Sequence, residues 1–274
     1  MMIKGGIRIG GLGISGYDAD AVAYFERAGV TDATAKGQIN AFVKGVKALS
    51  LWSNTIYWLL RSAQNAGTGA TAYSLSGLGT FNGTLAGTPN PTWGIDGIVC
   101  TNTDSRIDLP DSVSIYGARS AMAVFKTSRT ATQAPFEIQA NTDQTGYYFV
   151  MGYSGNASNG YTGPRFLITR NSTFGFNQSS SRTIYSGTFQ SAQITADNTT
   201  DNVFQNGSIA ASGAQTGLSS INPIGARNIR AMFYRTDDIV GSFGALSTTK
   251  WTNQQVSDLN ALYKTTLGTG LGLP

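Results

Sequence analysis

The sequence predicts a mainly β protein, a two-sheet antiparallel jelly-roll sandwich with a short Gly-rich N-terminal arm, a small helical lead and a C-terminal helix. Three observations predict it. Glycine accounts for 34 of 274 residues and charged residues for only 12%, a composition typical of tight turns and an uncharged polar surface. Apolar residues recur at helical spacing before Thr68 and in short alternating runs after it. We therefore divide the chain into an arm (1–16), a helical lead (17–67) and the jelly-roll domain (68–274).

The residues that are absent exclude several kinds of chemistry. The chain has no His and a single Cys, which excludes imidazole bases, helical zinc sites and an internal disulfide. The net charge is +4 without a basic run, and no apolar stretch has membrane length, so we expect neither nucleic acid nor membrane as a partner. We also expect no cofactor. Because no signal peptide is evident, the chain is expected to be made in a cytoplasm and either to stay there or to leave by lysis.

The arm places regularly spaced isoleucines among six glycines. Such a segment cannot form a core of its own. It is either a frayed terminus or a docking arm that adds a strand to a neighbouring chain, and the regular isoleucines favour docking. The assembly residues predicted here are Ile3, Ile7 and Ile9.

Three helices are predicted in the lead. Asp18 caps the first, Gly29 ends it, and Thr31 or Asp32 starts the second. A third is predicted from Trp52 to Ala63. The second helix carries the apolar stripe Ile39, Phe42, Val43, Val46 and Leu49, and the aromatic group Trp52, Tyr57 and Trp58 follows. This apolar surface exceeds what short helices bury among themselves, so it must pack on the sandwich or on a partner chain. We predict a homo-oligomer, most simply a trimer, with Phe42 and Trp58 in its contacts, and a chain starting near Ala66 that still folds.

Short strands separated by Asn-Gly and Asp-Gly turns follow. The runs predicted as strands include Ser120 to Lys126, Phe136 to Ala140, Tyr147 to Gly152, Arg165 to Thr169 and Thr183 to Phe189. Thr252 and Gln255 form a capping-box pattern that starts the closing helix.

The β region resembles the concanavalin A-like, or laminin-G-like, jelly roll. The segments that carry the resemblance are Thr92 to Ile98 with Ser105 to Pro110, Ala192 to Asp197 with Asn202 to Gly207, and Ile224 to Arg227 with Phe233, Tyr234, Ile239 and Leu246. The lead is similar to that of many tailed-bacteriophage virion proteins, through Asp18 to Ala21, Tyr24-Phe25, Ala28 to Asp32, Ile39 to Val43 and Leu51-Trp52. The resemblance implies a non-enzymatic structural or accessory protein of the virion, such as a tail fibre, baseplate attachment or capsid decoration, whose arm binds other virion proteins.

The alternative function is a lectin-like adhesin for host surface polysaccharide; a glycosidase is a third reading. Candidate glycan-binding residues are Tyr147, Tyr148, Tyr153 and Tyr161, although the pattern favours the structural alternative in which Tyr147 and Phe149 face inward on a strand and Tyr148 covers the sheet. Glycosidases of this fold need paired carboxylates, and Glu137 has no second Glu nearby in sequence. The acids Asp96, Asp104, Asp108 and Asp111 are interpreted as turn and strand-end residues rather than calcium ligands.

Overall fold

The computed structural model describes residues 16–76, 79–102, 104–110, 120–127, 133–139, 148–153, 164–170, 173–179, 187–196, 200–214, 229–234 and 238–274. Within them lie three α-helices and seventeen strands. The helices are α1 (Ala19–Ala28), α2 (Ala33–Ala48) and α3 (Asn253–Thr265).

Seventeen strands form two antiparallel sheets, which confirms the predicted mainly β sandwich. Sheet A has the order β15-β14-β13-β8-β17-β1-β3, with β6 beside β17 and β5 beside β6. Its strands are β1 (Thr55–Leu59), β3 (Ser74–Ser76), β5 (Thr92–Trp93), β6 (Ile98–Cys100), β8 (Ser120–Thr127), β13 (Gln190–Ala196), β14 (Thr200–Gln205), β15 (Ser208–Ala214) and β17 (Ile239–Ser247). Sheet B has the order β12-β11-β10-β9-β16-β7-β4-β2. Its strands are β2 (Thr71–Ala72), β4 (Gly83–Ala86), β7 (Arg106–Asp108), β9 (Gln133–Gln139), β10 (Tyr148–Tyr153), β11 (Pro164–Arg170), β12 (Thr173–Ser179) and β16 (Ile229–Tyr234).

The molecule has three layers, because sheet A is covered on both faces. One apolar cluster fills the space between the sheets and contains Ile56, Trp58 and Ile107. A second cluster lies between the helices and the other face of sheet A, and it contains Tyr57 and Phe243. Alternate residues of a strand point to opposite faces, so β1 supplies side chains to both clusters. All five of its residues are buried.

The predicted third helix is wrong. Residues 52–54 form a single 3-10 turn and residues 55–59 form strand β1, which pairs with β17 on one side and β3 on the other. A strand buried on both faces reads as an uninterrupted apolar run, which periodicity cannot distinguish from a buried helix. The boundary predicted at residue 67 consequently separates β1 from both of its neighbouring strands.

The predicted helix ends are confirmed. The Asp18 side chain accepts from the Asp20 N–H at 3.0 Å, and Asp32 accepts from the Ala35 N–H at 2.7 Å. Gly29 ends α1 with φ 65°, a left-handed conformation that glycine adopts without steric cost. Thr252 and Gln255 form both halves of the capping box of α3. These signals are local in sequence, so the tertiary fold does not alter them.

Helix α3 docks on sheet A through buried polar contacts as well as apolar ones. Val256 and Leu259 join the helix-side cluster. Asn260 accepts through Oδ1 from Ser191 Oγ at 2.5 Å and from Gln193 Nε2 at 3.2 Å. Ser191 and Gln193 are both fully buried on β13. Satisfied networks of this kind fix one docking register, because a shifted helix would leave these buried groups unpaired.

Strand positions agree with the prediction except near residue 190. Of the strand expected from Thr183 to Phe189, residues 183–186 lie outside the described residues, and Gly187 to Phe189 precede β13 without being part of a strand. The predicted central hairpin is confirmed, since β13 pairs with β14 and Asn206-Gly207 forms the turn into β15. Both turn residues have positive φ, 52° and 77°.

Candidate functional site

The two predicted assembly residues of the lead are buried inside the monomer. Phe42 and Trp58 are both 0% exposed. Phe42 contacts the rings of Tyr57 and Phe243 edge-on, and Trp58 donates from Nε1 to the Phe81 carbonyl at 2.8 Å. Neither side chain therefore offers surface to a partner chain. The apolar stripe of α2 is covered by sheet A, which was the other outcome that the sequence left open.

Ile3, Ile7 and Ile9 lie outside the described residues, but Gly16, where the arm joins the helical lead, is described. The Gly16 carbonyl accepts from Lys44 Nζ at 2.8 Å, and Lys44 lies on the exposed side of α2. Lys47 binds the carboxylates of Asp18 and Asp20, each at 2.6 Å. Burial alone would raise the pKa of Asp18, but the hydrogen bonds from Lys47 and from the Asp20 N–H outweigh it and lower that pKa. The end of the arm at Gly16 is thus held in a fixed position on the helix layer.

Two of the four candidate tyrosines belong to β10. Tyr147 and Tyr161 lie outside the described residues. Tyr148 is opposite Gln139 of β9, and Tyr153 is opposite Gln133 after a register shift that follows Met151. Residues directly opposite each other in neighbouring strands share a face. Because Gln133 and Gln139 are an even number of positions apart, the shift assigns both tyrosine positions to one face of sheet B despite their odd spacing.

That face of sheet B is the outer one, and one row of paired residues runs across it. Asp108 of β7 is opposite Thr84 of β4 on one side and Ala231 of β16 on the other, and Ala231 is opposite Glu137 of β9. Thr84 is exposed, and the Asp108 side chain is 45% exposed. Ile107, the residue before Asp108 on β7, points toward the other sheet and is fully buried. With strands spaced 4.7–4.9 Å apart, the Asp108 and Glu137 positions are about 10 Å from each other.

Arg106, two residues before Asp108 on the same face, is held between two carboxylates. Its Nε and Nη2 donate to the two Asp108 carboxylate oxygens at 2.7 and 3.4 Å. Its Nη1 donates to the Asp104 carboxylate at 2.9 Å and to the Asp104 carbonyl at 3.1 Å. The Asp108 pair is bidentate, which fixes the guanidinium plane as well as its position.

Two neighbouring turns position this group. The Asp104 carboxylate also accepts from the Thr88 N–H at 3.0 Å, and Asn102 Nδ2 donates to the Thr88 carbonyl at 2.7 Å. Ser105 Oγ donates to the Pro89 carbonyl at 2.7 Å. These bonds join the turn after β4 to the turn before β7. The result is a small polar surface on a rigid base, formed by the side chains of Arg106, Asp108 and Thr84. We call it the β7 polar surface.

The acids considered as calcium ligands are not gathered around one point. Asp104 and Asp108 both bind Arg106, Asp96 lies in the turn between β5 and β6, and Asp111 is outside the described residues. Within the described residues no three His, Cys, Asp or Glu side chains are grouped as metal ligands would be. None of the described helices combines the length and the apolar character needed to cross a bilayer.

Sequence reasoning did not select Arg106, Asp108 or Thr84 as site residues. A usable signal was present in the alternation Arg106-Ile107-Asp108 and Gly83-Thr84-Leu85, in which an apolar residue alternates with polar ones. That alternation marks one buried and one solvent-facing side of each strand. It cannot reveal that the two strands are neighbours in the sheet, or that β9 with the Glu137 position lies two strands beyond β7.

No family profile and no curated protein matches this sequence. Solved structures match its fold. A mutant of Trypanosoma rangeli sialidase displaying trans-sialidase activity is 9% identical with a TM-score of 0.57, covering 91% of this chain and 39% of that one. The botulinum neurotoxin serotype D ligand binding domain in complex with N-acetylneuraminic acid is 13% identical with a TM-score of 0.51, covering 78% of this chain and 52% of that one.

This chain therefore spans between about two fifths and half of the length of these two solved chains. At such low identities the similarity concerns the fold alone. It agrees with the two antiparallel sheets described above. The chain shares a jelly-roll-like β-sandwich fold with these domains.

Proposed function

We propose that this chain is a lectin-like carbohydrate-binding module that recognises host surface polysaccharide through the outer face of sheet B. The observation that carries the proposal is that the helices bury the outer face of sheet A, whereas sheet B presents exposed Thr84 and the half-exposed Arg106 and Asp108. Carboxylate and guanidinium groups with fixed geometry are suited to hydrogen-bonding sugar hydroxyls. The tyrosine positions of β10 share this face, and aromatic rings pack on the apolar faces of sugar rings.

Two matched structures support a sugar as the ligand. One of these proteins is a sialidase, and the other is a domain bound to N-acetylneuraminic acid. This support comes from the fold, and it favours the glycan-binding alternative over the structural role in a virion. Binding without catalysis is part of the proposal, because Arg106 occupies both carboxylate oxygens of Asp108.

A blocking substitution tests the proposal. Thr84→Arg introduces a long charged side chain directly beside Asp108 on the outer face, and we expect it to abolish retardation of the protein in native gels that contain host polysaccharide. Thr92→Arg is the matched control, because Thr92 is also an exposed strand threonine but belongs to sheet A. Equal retention of the two variants and the unchanged protein would contradict a site on sheet B. Retention of none of them by any polysaccharide would contradict glycan binding itself.

We propose as a second function that residues 1–16 attach the chain to other proteins of a tailed-phage virion, where it would reside. The specific observation is the bond between Lys44 Nζ and the Gly16 carbonyl, which starts the arm on the helix layer. Sheet A and sheet B both lie between that layer and the proposed glycan face. A chain lacking residues 1–15 should keep its melting temperature and its glycan affinity and should no longer be incorporated into particles. Unchanged incorporation would refute this second role.

A further inference from the structure

We infer that the β7 polar surface takes uncharged glycans and rejects acidic ones such as sialic and uronic acids. The inference rests on the proposed glycan-binding function and concerns the ligand class of the same site. Arg106 is the one cation among the described side chains of β2, β4 and β7. A carboxylate-bearing sugar would need this guanidinium as its partner.

The guanidinium is already committed to carboxylates of the protein itself. Nε and Nη2 bind Asp108, and Nη1 binds Asp104 at 2.9 Å. An incoming sugar carboxylate would have to displace one of these groups, and the displaced carboxylate would stay within a few ångströms of the ligand. Like charges at that distance repel, and they do so most strongly where water is partly excluded. The site therefore discriminates against anions by repulsion as well as by lack of a partner.

The local charge opposes the charge of the whole chain. Among the described side chains of β7 and the turn before it, Asp104 and Asp108 contribute two negative charges against the single positive charge of Arg106, a local balance of −1 where the chain as a whole carries +4. The described charged groups around Arg106 are thus acidic on balance.

An uncharged sugar meets none of this repulsion. Its hydroxyl groups donate to the remaining lone pairs of Asp108, whose side chain is 45% exposed, and exchange hydrogen bonds with the exposed Thr84 hydroxyl. Hydrogen bonds to an ionised acceptor are about twice as strong as neutral ones. Arg106 then acts as a positioning residue that fixes the orientation of the Asp108 carboxylate toward the ligand. The expected ligand is a neutral polyhydroxyl polymer, in contrast to the acidic sugar bound by the neurotoxin domain.

Native gels that contain one defined polysaccharide each provide the test, run at about 0.15 M salt so that non-specific attraction to the positive chain is screened. The neutral probes are dextran, arabinan and galactomannan, and the acidic probes are polysialic acid, hyaluronan and polygalacturonate. We expect at least one neutral polymer to retard the protein and none of the acidic polymers to do so. Asp104→Asn removes one of the two competing carboxylates, and at least one acidic polymer should then retard the variant measurably.

Asp258→Asn is the matched control, because it makes the same change in net charge on the exposed side of α3. The acidic polymers should leave the mobility of this variant unchanged. Retardation of the unchanged protein by an acidic polymer as strong as that by any neutral one would overturn the inference and leave glycan binding intact. Retardation by none of the six polymers would overturn both proposals. Should Asp104→Asn fail to fold, as judged by its melting curve, the comparison of the polymers on the unchanged protein still decides.

Discussion

Replacing Phe42 by alanine should destabilise the monomer and leave the size of any oligomer unchanged. The ring is 0% exposed and lies edge-on to Tyr57 at 5.4 Å and to Phe243 at 5.7 Å between ring centroids. It therefore links α2 to two neighbouring strands of sheet A, β1 and β17. Truncating a core phenylalanine to alanine costs about 3–5 kcal/mol, since it removes buried area and leaves a cavity. For a chain of this size that corresponds to a fall of roughly 6–20 °C in melting temperature.

Guanidinium unfolding followed by tryptophan fluorescence measures the free energy, and light scattering measures the mass. Phe42→Leu keeps most of the apolar volume and should cost less than the alanine variant. Ala41→Lys is the control, because Ala41 is the adjacent residue of α2 and is exposed. It should change the free energy of unfolding by no more than about 0.5 kcal/mol. A loss below about 1 kcal/mol for Phe42→Ala, or a change in oligomer mass at unchanged stability, would refute its assignment to the core.

Three further predictions concern the lead, its acid dependence and the single thiol. A chain that starts at Ala66 should be unfolded by circular dichroism, contrary to the expectation from sequence, because it lacks β1, whose five residues are all buried; a cooperative melt of this fragment would contradict the three-layer core. The pKa of Asp18 is lower in the folded protein than its ordinary value of 3.8, so the stability that this carboxylate contributes is present above pH 3.8 and is lost as the pH falls through the folded pKa. Asp18→Asn should therefore weaken the acid dependence of the melting temperature. A pH profile identical to that of the unchanged protein would count against the Lys47 contact. Burial raises the pKa of Cys100 to about 12, so a thiol reagent at pH 8 should modify it only on unfolding, and rapid labelling of the native protein would argue against its place between the sheets.

The parts of the fold that sequence predicts are those determined by neighbours along the chain. The caps of α1 and α3 and the Asn206-Gly207 turn each depend on a few consecutive residues. Strand β1 was misread as helix because its apolar pattern reflects burial against both sheet B and the helix layer. No local pattern encodes that arrangement, which arises only when β17 and β3 pair with it.

The candidate site was missed for a related reason. Asp108 and Glu137 are 29 positions apart in sequence, and Ala231 of β16 lies between them in the sheet. The positions of Asp108 and Glu137 therefore share one row of the sheet only through a strand that follows both by about a hundred residues. The tyrosines drew attention because they are close in sequence, yet two of the four, Tyr148 and Tyr153, are separated along the whole length of β10. Sequence proximity was a poor guide here to proximity on the sheet.

The central position of β17 in sheet A determines when the protein can fold during its synthesis. Strand β1 pairs with β17 so that Thr55 lies opposite Ser247, a separation of 192 residues. β17 also pairs with β8 and β6, so the central strand pairs of sheet A cannot form until residue 247 has been made. Contacts this distant in sequence slow folding, because the entropy of closing the loop is lost before any pairing compensates for it. Until β17 is made, the apolar strands β1 and β8 each lack one of their two neighbours, and such unpaired strand edges favour aggregation of the incomplete chain.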